Sequence, residues 1–148
     1  MKFIGFRILK HIVTKREVSL GEIMPLLPKK FNDHRDFYIL ATLYTSGYID
    51  STIKKDGCNW DTTKNKLVAE EFYNFTFDEG NHTYHDSEFR IDQDWKTKLK
   101  IFPTAKADLY FAEQRAKRID RIITLSIGII VGILSALAAV YFKTLLGT

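Results

Sequence analysis

The sequence predicts an α+β domain followed by a single C-terminal transmembrane helix. Two observations lead to this fold class. Three helix-like segments precede the first strand-like segment, and an uncharged, mostly apolar run of 21 residues occupies positions 122–142. The part of the 148-residue chain before this run is long enough for one compact domain, and an aromatic content of 14% supplies a core.

The first two elements are short helices. Apolar side chains recur at helical spacing in residues 3–15, which predicts an amphipathic helix. Ser19 and Glu22 have the spacing of a capping box, in which each side chain accepts a hydrogen bond from the other residue's backbone. The box opens a second helix, which must end before Pro28 because proline disfavours helical backbone in the residue before it.

A third helix and the first strand follow. The helix is predicted to begin near Asp33, with a second acidic residue three positions later at Asp36, and to end at Gly47. Its buried face is expected to consist of Phe37, Leu40, Ala41 and Tyr44. Residues 48–53 then alternate apolar and polar side chains as a half-buried strand does, and a turn is predicted at 56–57.

A long acidic and aromatic stretch separates this strand from a second one, predicted at 98–102. Within it, residues 66–73 have a helical pattern. Apolar positions that alternate as in strands are Phe75, Phe77, Tyr84, Phe89, Ile91 and Trp95. Residues 56–100 carry ten acidic and six basic side chains, whereas residues 1–55 carry five and ten. The excess of basic residues in the N-terminal part favours anionic lipid or nucleic acid as a binding partner. Solvated surface charges with no binding role would give the same excess.

The order of these elements resembles the winged helix-turn-helix family, and two segments carry the resemblance. LYTSGYI at 43–49 is similar to the family's habit of closing the third helix with Gly-Tyr-Ile. TAKADLYF at 104–111 is similar to the family's Thr-x-Lys-Gly-x-x-Tyr-Leu segment after the wing, with Ala107 at the glycine position. The resemblance covers residues 3–115 and implies a winged helix-turn-helix-like domain with an enlarged wing region.

The chain therefore divides into four predicted parts. These are a winged-helix-like cytoplasmic domain (1–115), a basic juxtamembrane segment (116–121), a transmembrane helix (122–142) and a short tail (143–148). At about 1.5 Å per residue the apolar run reaches roughly 31 Å, which matches the hydrocarbon thickness of a bilayer. Because only six residues follow it, the helix is expected to act as a tail anchor.

The charges that flank the apolar run predict its orientation. Lys117, Arg118 and Arg121 precede it, and Lys143 alone follows it. The positive-inside rule therefore keeps the N-terminal domain in the cytoplasm, with a single pass through the inner (plasma) membrane. The first ten residues are interrupted by charge every few positions and do not resemble a signal peptide.

Small side chains recur every four residues along one face of the predicted transmembrane helix. They are Thr124, Gly128, Gly132 and Ala136. The spacing of the two glycines is that of the GxxxG motif, which lets two helix backbones approach closely in lipid. This face predicts a homodimer, although the same spacing also arises by chance in apolar helices.

DNA binding would depend on the third helix, which is the major-groove element of helix-turn-helix proteins. Its first turn contains one arginine, Arg35, flanked by the carboxylates of Asp33 and Asp36, which would repel phosphates. The candidate contacts to DNA or to a protein partner are Lys29, Lys30, Arg35, Lys54 and Lys55. Winged-helix domains also serve in protein docking, so the fold alone does not decide between these partners.

The sequence offers little for catalysis. His82, His85 and Asp86 are ligand-like residues, but they lie in a loop-like stretch without a cysteine pair, and solvated loop histidines are the simpler interpretation. Cys58 has no histidine at catalytic spacing. We therefore predict a protein that is not an enzyme, with no catalytic residues, no metal and no cofactor.

These observations favour a non-enzymatic, membrane-tethered interaction or regulatory protein. Its expected partners are the lipid bilayer, a second copy of the chain and an unidentified cytoplasmic protein, which the winged-helix domain would dock at the membrane face. One alternative is a membrane-bound DNA-binding transcription regulator. Another is a small membrane-perturbing effector of the kind used in defence or phage exclusion.

Overall fold

The computed structural model describes residues 2–52, 64–145 and 147 of the chain. The described chain is a mixed α+β structure with two compact units, Met1–Asp108 and Leu109–Thr148. The first unit contains a small sheet, a hairpin and several helices, whereas the second is helical.

The described elements are short apart from the last one. In chain order they are α1 (Lys2–Lys15), β1 (Val18–Ser19), α2 (Leu20–Ile23), α3 (Tyr38–Thr45), β2 (Ile49–Ser51), α4 (Asn65–Asn74), β3 (Gly80–Tyr84), β4 (Ser87–Ile91), α5 (Trp95–Lys98), β5 (Lys100–Pro103) and α6 (Ala105–Leu145). Two 3-10 turns, Met24–Leu26 and His34–Phe37, follow α2 and precede α3.

The two N-terminal helices form where the sequence predicts them. Helix α1 buries Ile8 and Ile12 completely. The capping box at the start of α2 is present, since the Glu22 amide donates to Ser19 Oγ at 3.3 Å and the Ser19 amide donates to the Glu22 carboxylate at 3.4 Å. A 3-10 turn completes the α2 segment before Pro28, as expected.

The third predicted helix is a composite of a 3-10 turn and α3. Asp33 caps it by accepting a hydrogen bond from the Arg35 amide at 2.8 Å. Gly47 ends it in the left-handed region, with φ at 72°, where a side chain would be strained. All four residues of the predicted buried face are buried; they are Phe37, Leu40, Ala41 and Tyr44.

Three short antiparallel strands form the main sheet, in the order β1-β5-β2. Ile101 in β5 is opposite Val18 on one side and Ser51 on the other. The predicted strands at 48–53 and 98–102 correspond to β2 and β5, whereas β1 was not predicted, because two residues are too few to show alternation. Strand β5 begins at Lys100, after the short helix α5, whose N-terminus Asp94 caps.

The stretch between β2 and β5 differs in part from the prediction. Helix α4 covers the predicted helical segment 66–73. Of the six residues predicted to alternate along strands, Tyr84, Phe89 and Ile91 lie in the β3–β4 hairpin. Phe75, Phe77 and Trp95 do not lie in strands, because their rings pack on other rings. Phe75 packs on Trp95 in α5 at 5.0 Å between ring centroids, and Phe77 packs on Phe89 at 5.6 Å. The turn predicted at 56–57 lies outside the described residues.

The hairpin turns through two residues with left-handed backbone. His85 has φ at 48° and Asp86 has φ at 61°, as a type I′ turn requires. Asn-Gly is the favoured sequence for that turn, so a histidine at its first central position is conformationally costly. The turn sets the position of His85 beside α4 and the 3-10 turn.

The core of the first unit draws on nearly every element. Fully or almost fully buried side chains are Ile8, Ile12, Leu20, Ile23, Leu40, Ile49, Val68, Phe72, Leu99 and Ile101. Rings join α4 to the third helix, with Tyr44 against Phe72 and Phe37 against Tyr73, both at 5.9 Å between centroids. Helix α4 thus packs on the third helix, and the β3–β4 hairpin follows α4 along the chain.

Helix α6 is the long apolar C-terminal helix that the sequence predicts. It contains 41 residues, or roughly 60 Å at the usual rise. Its large apolar side chains between residues 119 and 142 are 51–67% exposed, and its most apolar stretch is not buried against any described residue. By length and composition, α6 is long and apolar enough to cross a membrane.

Candidate functional site

A buried carboxylate organises the loop that carries two of the predicted basic contacts. Asp36 is 5% exposed, and its side chain turns back onto the preceding loop instead of supporting the helix start. It accepts hydrogen bonds from the amides of Lys30 at 3.1 Å, Phe31 at 3.1 Å and Asn32 at 2.8 Å. Three converging amides fix the loop backbone around one charge.

An exposed aromatic ring lies between two cations on this loop. The Phe31 ring is 44% exposed, with Lys30 Nζ at 5.1 Å and the Arg35 guanidinium carbon at 4.3 Å from its centroid. Both distances are within the range of cation–π contacts. We call Lys29, Lys30, Phe31 and Arg35 the Phe31 surface. Lys54 and Lys55, the other two predicted contacts, lie outside the described residues.

Arg35 is held by a carboxylate. Its Nε lies 2.9 Å from Asp33 Oδ2, and its terminal Nη2 donates to the same oxygen at 2.6 Å. These hydrogen bonds lower the pKa of Asp33 to about 2. The pair neutralises much of the arginine charge and uses one edge of the guanidinium, which weakens the case for a base contact by Arg35.

Helix α3 has few groups with which to read DNA. All eight residues of α3 are described by the structure, and Thr42 is the one that is exposed. The Thr42 hydroxyl donates a hydrogen bond to the Tyr38 carbonyl at 2.7 Å. The Thr45 hydroxyl, at the end of α3, donates a hydrogen bond to the side-chain oxygen of Asn65 at the start of α4. The part of the third helix expected in the major groove thus carries no lysine or arginine beyond Arg35.

The two segments that resemble the winged-helix family contact one another. The Thr104 hydroxyl donates to the Gly47 carbonyl at 2.6 Å, and the Thr104 amide donates to the Tyr48 carbonyl at 3.0 Å. Lys106 Nζ donates to the Ser46 carbonyl at 2.7 Å and lies 4.8 Å from the centre of the Tyr48 ring. These contacts join the end of the third helix to the first turn of α6.

A polar cluster lies between the 3-10 turn, α4 and the hairpin. His34 is 7% exposed, and burial lowers the pKa of its imidazole. Its Nδ1 is 2.6 Å from the Tyr84 hydroxyl, and its Nε2 is 3.9 Å from a Glu70 carboxylate oxygen. The His85 ring is 5.4 Å from the His34 ring, centroid to centroid. The sequence did not predict this cluster, because His34, Glu70 and His85 do not have the spacing of a metal-binding motif.

The histidine pair considered from the sequence does not come together as a site. His82 Nε2 bonds to the Asp78 carbonyl at 2.7 Å, and its ring packs on Phe77 at 4.9 Å between centroids. His85 contacts His34 instead. His82 lies within β3, whereas His85 lies in the left-handed turn that follows it, so the regular alternation of the strand does not continue to His85.

The predicted self-association face is exposed along α6. A Cβ added at Gly128 or Gly132 meets no heavy atom of the described chain within 4 Å. Thr124 satisfies its own hydroxyl by donating to the Asp120 carbonyl at 2.8 Å, and Ala136 is exposed. The basic side chains of Lys117, Arg118 and Arg121 are exposed on the same helix.

Comparison with protein-family models, with curated proteins and with solved structures found no match for this chain.

Proposed function

We propose that the protein is a non-enzymatic, membrane-tethered interaction protein, in which α6 anchors a docking domain to the cytoplasmic face of the inner membrane. The observation that carries this proposal is the uncharged segment 122–142 of α6, whose side chains are exposed all around the helix. A helix that is apolar on every side needs an apolar surrounding, and a bilayer supplies one.

The energy of insertion supports the anchor. The segment 122–142 contains twelve leucine, isoleucine, valine and phenylalanine residues. At about 0.3 to 0.6 kcal/mol each, these residues favour insertion by roughly 4 to 7 kcal/mol. The segment has no Asp, Glu, Lys, Arg or His side chain to oppose this term. Lys117, Arg118 and Arg121 before the segment, against Lys143 after it, favour a cytoplasmic N-terminal domain.

A winged-helix-like fold for the first unit is part of the proposal. Three helical segments precede β2, β2 pairs with β5, and a helix follows β5, as in the order that resembles the family. The contacts between the two family-like segments, at Gly47 and Thr104, add to this support. The hairpin and α4 then form the enlarged wing region between β2 and β5.

The Phe31 surface is the proposed docking surface, and an acidic segment of a cytoplasmic protein is its proposed partner. The surface combines Lys29, Lys30 and the Asp33-paired Arg35 with an exposed aromatic ring, and Asp36 fixes its backbone before binding. A preorganised loop loses little conformational entropy when a partner binds. Arginine and aromatic residues are also the side chains that dominate binding energy at protein interfaces.

Self-association through α6 completes the proposal. The small side chains of Thr124, Gly128, Gly132 and Ala136 lie one turn apart, and both glycines leave open space for a second helix. A homodimer would present two docking surfaces at the membrane, which raises the affinity for a partner with two acidic segments.

Membrane fractionation of cells that express the full chain tests the anchor. The wild type should remain in the membrane pellet through high-salt and alkaline washes, which remove peripheral proteins. Two charges in the segment, Ile129→Arg with Ile133→Arg, add about 5 to 7 kcal/mol and should release the protein into the soluble fraction. The matched control, Ile129→Leu with Ile133→Leu, should stay in the pellet. A wild-type protein that salt extracts would contradict the proposal.

Binding measurements on the full chain in detergent micelles test the docking surface. A polyglutamate peptide should bind the wild type more tightly than it binds the Phe31→Ala, Arg35→Ala double variant. The control variant Lys98→Ala, at an exposed cation on α5, should bind as the wild type does. DNA fragments in a salt series form the second arm. Fragment-selective DNA binding that Arg35→Ala weakens would favour the transcription regulator instead.

A further inference from the structure

Three side chains with metal-binding chemistry converge from separate elements of the first unit. His34 lies in the 3-10 turn before α3, Glu70 in α4 and His85 at the tip of the β3–β4 hairpin. Each offers one ligand atom, and the three atoms lie within 4.8 Å of one another. Two imidazoles and one carboxylate form a donor set that suits Zn²⁺.

The geometry is close to that of a zinc site. Zinc bonds to histidine nitrogen and carboxylate oxygen are about 2.0 to 2.2 Å long, so tetrahedral ligand atoms lie roughly 3.3 Å apart. His34 Nε2 and Glu70 Oε1 are already 3.9 Å apart. Small rotations of the Glu70 and His85 side chains would close the set; His85 is exposed at a turn, and its ring packs on the Tyr84 ring at 4.3 Å between centroids.

A hydrogen bond orients the buried histidine for metal binding. Tyr84 Oη lies 2.6 Å from His34 Nδ1 and also accepts from the His34 amide at 3.4 Å. When Nδ1–H donates to this oxygen, the lone pair of Nε2 points toward Glu70 and His85. Metal-binding histidines almost always have such a partner on their second nitrogen.

We propose that His34 Nε2, a Glu70 carboxylate oxygen and a ring nitrogen of His85 bind one Zn²⁺ ion, with the fourth position open to water or to a partner's side chain. The ion would connect the hairpin to α4 and to the 3-10 turn that carries Arg35. This site is independent of the membrane anchor and of the acidic partner.

The surrounding charges permit a cation at this position. Lys66 Nζ lies 3.6 Å from Glu70 Oε1, but the Lys66 side chain is 65% exposed and can move into solvent when an ion binds Glu70. Asp33, the other nearby carboxylate, is paired with Arg35. Glu70 is therefore the carboxylate available to the ion among the described residues around His34.

Zinc titration of the metal-stripped full chain in detergent micelles tests the site. The probe is ZnCl₂ in competition with a chromophoric chelator, and the expected result is one ion bound per chain. His85→Asn and Glu70→Gln should each weaken binding at least about 100-fold. Tyr84→Phe, which removes the partner of His34 Nδ1, should weaken it by about 10-fold to 100-fold.

The matched control is His82→Asn, on the same hairpin but outside the cluster. It should bind Zn²⁺ as the wild type does, because His82 bonds to the Asp78 backbone instead. Far-UV circular dichroism establishes that each variant is folded, and the exposed position of His85 makes its variant the safest in this respect. Binding weaker than micromolar, or equal losses for His82→Asn and His85→Asn, would overturn the proposal.

Discussion

Removal of the Asp36 carboxylate is expected to destabilise the first unit strongly. Asp36→Ala deletes a 5% exposed charge that accepts hydrogen bonds from the amides of Lys30, Phe31 and Asn32. A hydrogen bond to a charged group contributes about 1.5 to 3 kcal/mol. Because all three donor residues are exposed, water can replace part of what is lost. We therefore expect a loss of about 3 kcal/mol, the lower limit for two such bonds.

Urea unfolding of the full chain in detergent micelles, followed by tryptophan fluorescence, measures this loss. Both tryptophans precede α6, so their signal reports on the first unit and not on the anchor. For a domain of this size, about 3 kcal/mol corresponds to a melting temperature roughly 12 to 24 °C lower. The same variant should bind the polyglutamate peptide more weakly, because the Phe31 surface loses its fixed backbone.

Asp92→Ala is the matched control. Asp92 is an exposed carboxylate after β4, and its removal should change the free energy of unfolding by no more than about 0.5 kcal/mol. A change below about 1 kcal/mol for Asp36→Ala would refute the reasoning, since the three short contacts would then contribute little. Equal effects of the two substitutions would refute it as well.

Gly132→Ile should reduce self-association in a membrane two-hybrid reporter without reducing insertion, because it adds bulk but no polarity to the small-residue face. Ile133→Leu is the control. Unchanged association of the Gly132→Ile variant would exclude this face as the interface. Thr104→Val should lower the free energy of unfolding by about 1 kcal/mol in the same urea assay, because the Gly47 carbonyl loses its donor at 2.6 Å. Thr83→Val, at an exposed position of β3, should have a smaller effect, and the reverse order would argue against the junction. Arg35→Ala should raise the pKa of Asp33 from about 2 toward its usual 3.8, as measured by carboxyl NMR titration. Because the folded pKa is the lower one, the stabilisation from this pair is present above about pH 4 and is lost as the pH falls toward 2. An unshifted Asp33 titration in the variant would show that Arg35 is not the cause.

Local patterns were sufficient to predict most of the helices. The apolar spacing of residues 3–15, the capping box of Ser19 and Glu22, and the glycine at position 47 each act within a few residues of chain. Such preferences depend on neighbouring residues and need no partner that is distant along the chain. The same holds for the C-terminal apolar run, whose length and lack of charge already require a long helix.

Long-range contacts decided the features that the sequence did not reveal. Strand β1 exists because Val18 lies opposite Ile101, a partner far along the chain. Phe75 and Trp95 pack on each other instead of extending strands, because ring contacts across the hairpin region outweigh local alternation.

The helical segments of the first unit and the single apolar helix after them can be predicted from local patterns, because periodicity, caps and charge act between neighbouring residues. The roles of two polar groups depend instead on long-range packing. Asp36, predicted to lie in the first turn of the third helix, accepts hydrogen bonds from amides of the preceding loop. His34 acquires Glu70 and His85 as neighbours only when α4 and the hairpin pack beside it. Burial turns such side chains from solvated surface groups into groups that must find partners, and folding alone brings those partners within reach.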